Sequence, residues 1–319
     1  GGWAHTVALK SDGTVWTWGN NLYGQLGDGT TTDGLVPVQV LPDVSTDVDS
    51  GSFHTIALKS NGMVWTWGYN LYGQLGNGTT TDSSIPVQVS SLSSVIAVAS
   101  GYFHSMALKS DGTVRTWGMN LYGQLGIGIT GSYRTTPVQT SGITNVTAIT
   151  GGYNHSVALK GDGTVWTWGA NSSGQLGDGT TTSRNTPVQV AGLSNVTAIA
   201  SGGYYTLALK SDGTVWAWGN NSFGQLGDGT TTLRKTPVQV AGLSNIAAIG
   251  AGYQHTMAIK DDGTVWTWGR NDYGQLGFGT TDTSAHKTPA QVTGIPPMTH
   301  AAGGGYFSLI FADPSSPAD

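Results

Sequence analysis

The chain has 319 residues, with 50 glycines, 12 tryptophans and 12 tyrosines, a charged fraction of 10% and a formal net charge of −5. Its aromatic and β-branched residues exclude a disordered chain, because burying them offsets the entropy of ordering, and its glycines lack the triplet period of collagen. The 13 basic residues are dispersed and not gathered into the stripe that binds phosphates, which argues against a nucleic-acid partner, and the absence of cysteine excludes disulfides, thiolate catalysis and thiolate metal sites.

All 18 acidic residues are Asp, so a carboxylate pair for acid–base work would have to be Asp–Asp. No apolar run reaches the ~18–20 residues that span a bilayer. The chain begins at Gly1 and not at Met, as a processed or excised piece would. The Thr/Ser/Gly/Asn-rich, Glu-free composition is that of a bacterial exported protein. It leads to the expectation of an extracellular or cell-surface location, with the cytoplasm as the alternative.

The tetrad Gly-Gln-Leu-Gly recurs at Gly24–Gly27, Gly73–Gly76, Gly123–Gly126, Gly174–Gly177, Gly224–Gly227 and Gly274–Gly277. A period near 50 residues with several short strands per copy is that of a propeller blade. Within residues 151–200, Ser156–Lys160 reads as a strand, Asp162-Gly163 as a hairpin turn and Thr164–Gly169 as a second strand. A glycine-rich loop with Gln175 and Asp178 follows, then short strands at Pro187–Val190 and Val196–Ala200. Asp-Gly predicts a type I′ turn with φ > 0 at both central residues, and Asn61-Gly62 of the second copy fits, because Asn tolerates that geometry. Pro187 suits the start of an outer edge strand, where a missing N–H is harmless.

With the strands lettered a (Val-Thr-Ala-Ile-Ala), b (His-Thr-Val-Ala-Leu-Lys), c (Val-Trp-Thr-Trp) and d (Pro-Val-Gln-Val), the chain starts at b with His5–Lys10. It ends with an a strand near Met298–Ala302 and a seventh b at Phe307–Ala312. The fold class expected is all-β: a β-propeller of four-stranded antiparallel blades, with six near-complete repeats plus a partial seventh. A seven-bladed ring would be completed by a c–d–a segment ahead of Gly1, with six blades as the rival count. The repeats fall at about 1–50, 51–100, 101–150, 151–200, 201–250 and 251–302, with the partial one at 303–312. Together they make one propeller domain over 1–312, with 313–319 as an exit tail.

Every blade is covered on both faces, so its strands need apolar residues facing both ways. Trp16 and Trp18 share one face of a strand, and the Trp-x-Trp-Gly motif recurs in every copy but the third, where Arg115 stands first. The rings, ~150–250 Å² each, are expected between blades. The loop glutamines Gln25, Gln74, Gln124, Gln175, Gln225 and Gln275 have a donor and an acceptor each to satisfy loop backbone.

These copies resemble the regulator-of-chromosome-condensation repeats over essentially the whole chain. The residues that carry the resemblance are Gly152-x-x-His155-Ser156-x-Ala158-Leu159, Gly163-x-Val165-x-x-Trp168-Gly169 and Asn171-x-x-Gly174-Gln175-Leu176-Gly177. The resemblance implies a seven-bladed propeller and a choice of activities: guanine-nucleotide exchange on a small GTPase, ultraviolet-B perception through clustered tryptophans, or inhibition of secreted β-lactamases. The exchange factor's protruding wedge and basic tail are not visible here. The photoreceptor motif Gly-Trp-Arg-His-Thr reads Gly2-Trp3-Ala4-His5-Thr6, without its Arg and only once. The lean repeats are similar in scaffold to the β-lactamase inhibitor. Fold alone chooses among none of these.

His5, His54, His104, His155 and His255 share one repeat position with Tyr205 and Phe307, which does not suit a metal ring, so they are read as structural. Asp28, Asp178 and Asp228 give way to Asn77, Ile127 and Phe278 in other copies, and Ile and Phe cannot ligate a hard cation. No nucleophile elbow, P-loop or zinc-protease motif occurs. No enzyme activity, metal or cofactor is expected.

In an antiparallel blade the a–b turns and the long c–d loops share one face. The a–b turns carry Trp3, Phe53, Tyr102, Phe103, Tyr153, Tyr204, Tyr253 and Tyr306. The c–d loops add Leu22, Tyr23, Tyr72, Tyr122, Phe223, Arg270, Asp272 and Tyr273, with packing favoured for the tyrosines. Aromatics that vary between copies on a fixed scaffold suit recognition. The expected function is a non-catalytic scaffold that binds a protein, or else a carbohydrate, on this face. The alternatives are an architectural repeat of a larger exported protein, an enzyme with its site at the ring centre, and the exchange or inhibitor activity of the family.

Overall fold

The computed structural model describes residues 1–41 and 43–312; the expected tail at 313–319 lies outside them. Among the described residues all regular structure is β. The first sheet holds β1 (His5–Leu9), β2 (Val15–Gly19) and β3 (Gly34–Leu41). The second holds β4 (Ser45–Ser50), β5 (His54–Lys59), β6 (Val64–Gly68) and β7 (Ser83–Gln88), and the third β8 (Val95–Ser100), β9 (His104–Lys109), β10 (Val114–Gly118) and β11 (Arg134–Gln139). The fourth holds β12 (Val146–Gly151), β13 (His155–Lys160), β14 (Val165–Gly169) and β15 (Arg184–Gln189), and the fifth β16 (Val196–Ser201), β17 (Tyr205–Lys210), β18 (Val215–Gly219) and β19 (Arg234–Gln239). The sixth holds β20 (Ile246–Ala251), β21 (His255–Lys260), β22 (Val265–Asn271) and β23 (Asp282–Gln291); β24 (His300–Gly303) and β25 (Ser308–Phe311) follow.

The architecture is that of an all-β propeller, with antiparallel blades whose strands run in chain order. The expected partial seventh blade and seven-bladed ring are corrected. Among the described residues there are six blades, and β24 and β25 pair only with each other, as a two-stranded hairpin. Without c and d strands that hairpin has nothing to make it a blade.

The chain gathers into two compact units. One comprises Gly1–Gly161, Trp168–Ala170 and Ser183–Pro187; the other comprises Asp162–Thr167, Asn171–Thr182 and Val188–Asp319. In the first, β4 lies beside β1 and β8, and β8 beside β12; in the second, β20 lies beside β16 and β24.

Each b–c hairpin is built differently from the type I′ turn that Asp-Gly predicts. Only the glycine takes positive φ, +83° at Gly13 and +77° at Gly62, while the Asp or Asn before it does not. Gly62 N–H donates to Lys59 O and Lys59 N–H to Met63 O, so a type I turn is followed by one left-handed residue, the bulged hairpin. The preceding side chain acts as an Asx acceptor: Asp12 Oδ1 takes Thr14 N–H at 3.0 Å and Asn61 Oδ1 takes Met63 N–H at 3.0 Å. Asn replaces Asp here for its oxygen and not for its tolerance of φ > 0.

The d strands start before the proline expected to open them. Between Thr116↔Val138 and Gly118↔Arg134 three residues face one, and Pro137 lies in that bulge, where no ladder N–H is required.

The two tryptophans of the motif divide their work. Trp67, Trp117, Trp168, Trp218 and Trp268 are fully buried, and in the third copy, where Arg115 stands first, Trp117 keeps that place. Trp16, Trp65, Trp216 and Trp266 are half-buried, each beneath a lysine ammonium 4.5–5.7 Å from the ring centroid. In copies two to six the second ring is core, while Trp18 of the first copy is half-buried. Trp117→Ala is expected to lower the unfolding free energy by about 3–5 kcal/mol. Trp65→Ala loses part of one face and a surface cation–π contact, and should lower it by roughly 1–2 kcal/mol. Urea titration followed by circular dichroism separates the two.

Candidate functional site

The a–b turns and c–d loops rest on a layer of buried polar groups. Gln25 folds its side chain back so that Oε1 takes Tyr23 N–H at 2.9 Å; Gln74, Gln124, Gln175, Gln225 and Gln275 repeat the bond in their own loops. This fixes the direction of the glutamine main-chain carbonyl, which receives the neighbouring copy. Gln124 O accepts Ser156 Oγ–H at 2.8 Å and Trp168 Nε1–H at 2.9 Å. Gln74 O accepts Ser105 and Trp117, Gln175 O accepts Thr206 and Trp218, and Gln225 O accepts Thr256 and Trp268 in the same way. At the first joint Gln25 O takes Thr55 Oγ1–H at 2.8 Å, and Trp67 Nε1 is buried without a hydrogen bond.

The histidines join this layer. His5 Nε2 lies 3.0 Å from Thr55 Oγ1, His54 Nε2 2.9 Å from Ser105 Oγ and His104 Nε2 2.9 Å from Ser156 Oγ. The single hydroxyl hydrogen is committed to the glutamine carbonyl, so Nε2 carries the proton and donates. Nδ1 of His54 and of His104 is buried with no hydrogen-bond partner. A second proton there would be an uncompensated buried charge, and burial holds His5, His54, His104 and His155 down to about 3 and His255 to about 4. Tyr205 takes the same place in the fifth copy, with its hydroxyl near Thr256 Oγ1 at 3.0 Å and donating to His255 O.

In the first unit the predicted aromatics come together. Tyr102 stacks on Tyr153 at 3.9 Å and 26° and meets Trp3 edge-on at 5.7 Å. It also touches Phe103 at 4.4 Å and Phe53 at 5.9 Å. The loop rings Tyr23 and Tyr72 pack against Phe53 and Phe103, joined by Tyr69, which sequence reasoning overlooked. All of these rings are half-buried. At the loop tips Leu22, Leu71 and Leu121 are 63%, 54% and 53% exposed, where copies four to six have Ser172, Ser222 and Asp272.

In the second unit Tyr204 and Tyr253 meet at 6.0 Å and Tyr273 and Tyr306 at 4.7 Å. The Arg270 guanidinium lies 5.0–5.6 Å from the rings of Phe223, Tyr273 and Tyr306, and donates to Asp272 Oδ2 at 2.6 and 2.9 Å and to Gln254 Oε1 at 2.8 Å. Tyr273 and Tyr122 stand 62% and 45% exposed, unlike the packed loop tyrosines of copies one and two.

Sequence reasoning gave no role to Asn21 and its repeats. Asn21 is fully buried; its Oδ1 takes Leu26 N–H at 2.9 Å and its Nδ2 reaches Thr30 O, Thr32 O and Asp28 Oδ1. Asp28 Oδ1 also takes Thr30 N–H at 2.9 Å, a loop-capping arrangement. The recurrence of Asn five residues before Leu was the available signal. Asp47 and Asp49, where other a strands have small residues, accept Val98 N–H at 2.9 Å and Ser100 N–H at 2.7 Å. Burial raises both, Asp47 to about 6. Among the described residues no three His or Asp side chains gather as a metal site would need, and no helix is long and apolar enough to cross a membrane.

The RCC1-like domain model matches residues 1–196 and again 95–316. The crystal structure of human WBSCR16 is similar over 98% of this chain and 86% of that one, at 27% identity and a TM-score of 0.87. Prp20p from Saccharomyces cerevisiae, studied for its binding to Gsp1p and histones, is similar over 97% of this chain and 80% of its own, at 24% identity and a TM-score of 0.85. Forty residues are 55% identical to the ultraviolet-B receptor UVR8 of Arabidopsis thaliana, a stretch that spans 12% of this chain and only 9% of the receptor.

The buried histidines make stability depend on pH. Their folded pKa values, about 3 to 4, lie below the ordinary 6.5, so the folded protein holds them neutral while the unfolded chain takes up protons. Their contribution is complete above pH ~6.5 and is lost as pH falls toward 3–4, at about 1.4 kcal/mol per pH unit for each titrating group. Asp47 and Asp49 are raised and work in the opposite sense, but they are two against five. Stability measured by urea titration from pH 7 to 4 should fall steeply, and His104→Tyr, which copies the fifth repeat's Tyr205, should flatten the slope by about one proton.

Proposed function

The chain belongs to the RCC1-like domain family, and from that premise we propose that it is a non-catalytic module that binds a protein partner on the aromatic rim of its a–b turns and c–d loops. The observation that carries this reading is the continuous ring network of Trp3, Phe53, Tyr102, Phe103 and Tyr153 in the first unit, with Leu22, Leu71 and Leu121 exposed in the adjoining loops. Aromatic side chains held by their neighbours lose little freedom on binding, and Tyr and Trp supply most hot-spot energy. Tyr204, Tyr253, Tyr306, Arg270 and Asp272 form the corresponding rim of the second unit. The structural repeat residues lie beneath: the histidines and loop glutamines are buried and engaged in holding copies together, which favours a scaffold over a catalyst. Prp20, of the same fold, has been crystallised bound to Kap60.

Replacing Trp3, Tyr102 and Tyr153 together by Ala should abolish capture of a partner identified with the wild-type chain. A single hot-spot truncation already costs ~2 kcal/mol or more, about 30-fold in affinity. Circular dichroism should keep the β-sheet signature, while the unfolding midpoint should fall, because the three half-buried rings lose their packing on one another. A folded triple variant that binds as tightly as the parent would refute the rim as the binding surface.

A further inference from the structure

Arg115 breaks the pattern of its repeat position. In four other copies that position holds a half-buried tryptophan with a lysine ammonium over its ring, 4.5–5.7 Å from the centroid. In the third copy a second cation replaces the ring. Arg115 pairs with Ala107 on one side and Gln139 on the other, so Lys109, two residues beyond Ala107, shares its face of the sheet. A diagonal pair of this kind lies within reach of long side chains. Asp111 is the carboxylate beside the lysine, and both its oxygens are taken: Oδ1 accepts Thr113 N–H at 3.0 Å and Thr113 Oγ1–H at 2.6 Å, and Oδ2 accepts from Lys109 Nζ at 3.3 Å. Arg134, Arg184, Arg234 and Arg270 all have partners. Among the described residues the half-buried Arg115 side chain has no hydrogen bond, ion pair or ring contact.

We infer that Arg115 and Lys109 form a binding site for a tetrahedral oxyanion of the phosphate or sulfate type. Two cations on one face of a strand pair repel each other, and a single carboxylate, already committed to the lysine, leaves them with a net positive charge. An anion between them replaces that repulsion with charge-assisted hydrogen bonds. The guanidinium fork takes two oxygens in its plane, while the ammonium is a separate point donor. A carboxylate has only two oxygens, which the fork occupies; a tetrahedral oxyanion keeps others for the ammonium. Gln139, exposed and directly across from Arg115, adds an amide donor. In the other copies an indole stands where the fork would be. Inorganic phosphate and a phosphate monoester carried on another molecule share this chemistry, and the test separates them.

The test titrates the full chain with inorganic phosphate at constant ionic strength and follows the arginine Nε–H resonances by NMR. The Arg115 resonance should move and saturate, while those of Arg234 and Arg270, already paired, stay in place. Acetate should bind at least about 3-fold more weakly than phosphate, and chloride should give no saturable shift. Arg115→Trp, which restores the residue of the other copies, should lower the phosphate affinity about 10-fold or more, and Arg115→Gln does the same should the first variant fail to fold. Phosphate should also raise the unfolding midpoint of the parent and not that of the folded variant. Phosphoserine amide is the second probe: tighter binding than inorganic phosphate assigns the site to a phosphate borne on another molecule, and the reverse assigns it to the free ion. A shift that does not saturate, acetate or chloride binding as tightly as phosphate, or undiminished binding in a folded variant would overturn the assignment.

Discussion

The structure depends on a main-chain carbonyl that serves two masters. In each c–d loop the glutamine carbonyl is turned toward the next copy, where it accepts a hydroxyl from the b strand and, at four joints, an indole N–H from the c strand. A blade is too thin to hide its faces alone, so its neighbour must supply both apolar cover and hydrogen bonds. Placing both on the second tryptophan and the Ser or Thr after the histidine ties hydrophobic burial to a directed polar contact. The sheets are thereby fixed in register and do not merely adhere.

That joint accounts for the contrast between what repeats and what varies. The glutamine, the buried asparagine, the hydroxyl and the second tryptophan are committed to holding copies together. The turns above them make few such demands, so their side chains differ between copies: Trp3, Phe53, Tyr102, Tyr153, Tyr204 and Tyr253 cover the same layer with different chemistry. A rigid base with free choice at its rim is the condition under which a repeat fold acquires a specific partner. The histidines belong to the base. Their low pKa values come first from burial and not from a catalytic neighbour.

Much of this was legible in the residues. The period, the four strands of a copy, the hairpins and the shared face of turns and loops follow from local signals: glycine, Asp-Gly and the two-residue spacing of the tryptophans. The type I′ turn did not follow, because Asp12 and Asn61 use their side-chain oxygens, which a preference in φ does not register. The division between the two tryptophans was also hidden, since spacing places Trp65 and Trp67 on one face without saying that a lysine covers one and a neighbouring copy the other. The blade count depended on long-range pairing, and strand lettering cannot show that β24 and β25 pair only with each other. Least visible was the acceptor of the joint itself, because a backbone carbonyl looks the same at every position of a sequence.

Exchange of the tryptophan indole protons, followed by nitrogen-resolved NMR, tests the joint most directly. Trp117, Trp168, Trp218 and Trp268 donate to buried glutamine carbonyls at 2.9 Å, whereas Trp16, Trp166, Trp216 and Trp266 donate to half-buried threonine hydroxyls at 3.0–3.3 Å. The first set should exchange only through global or near-global opening, slower by orders of magnitude than the second. Equal exchange in the two sets would mean that the carbonyls do not hold the copies together.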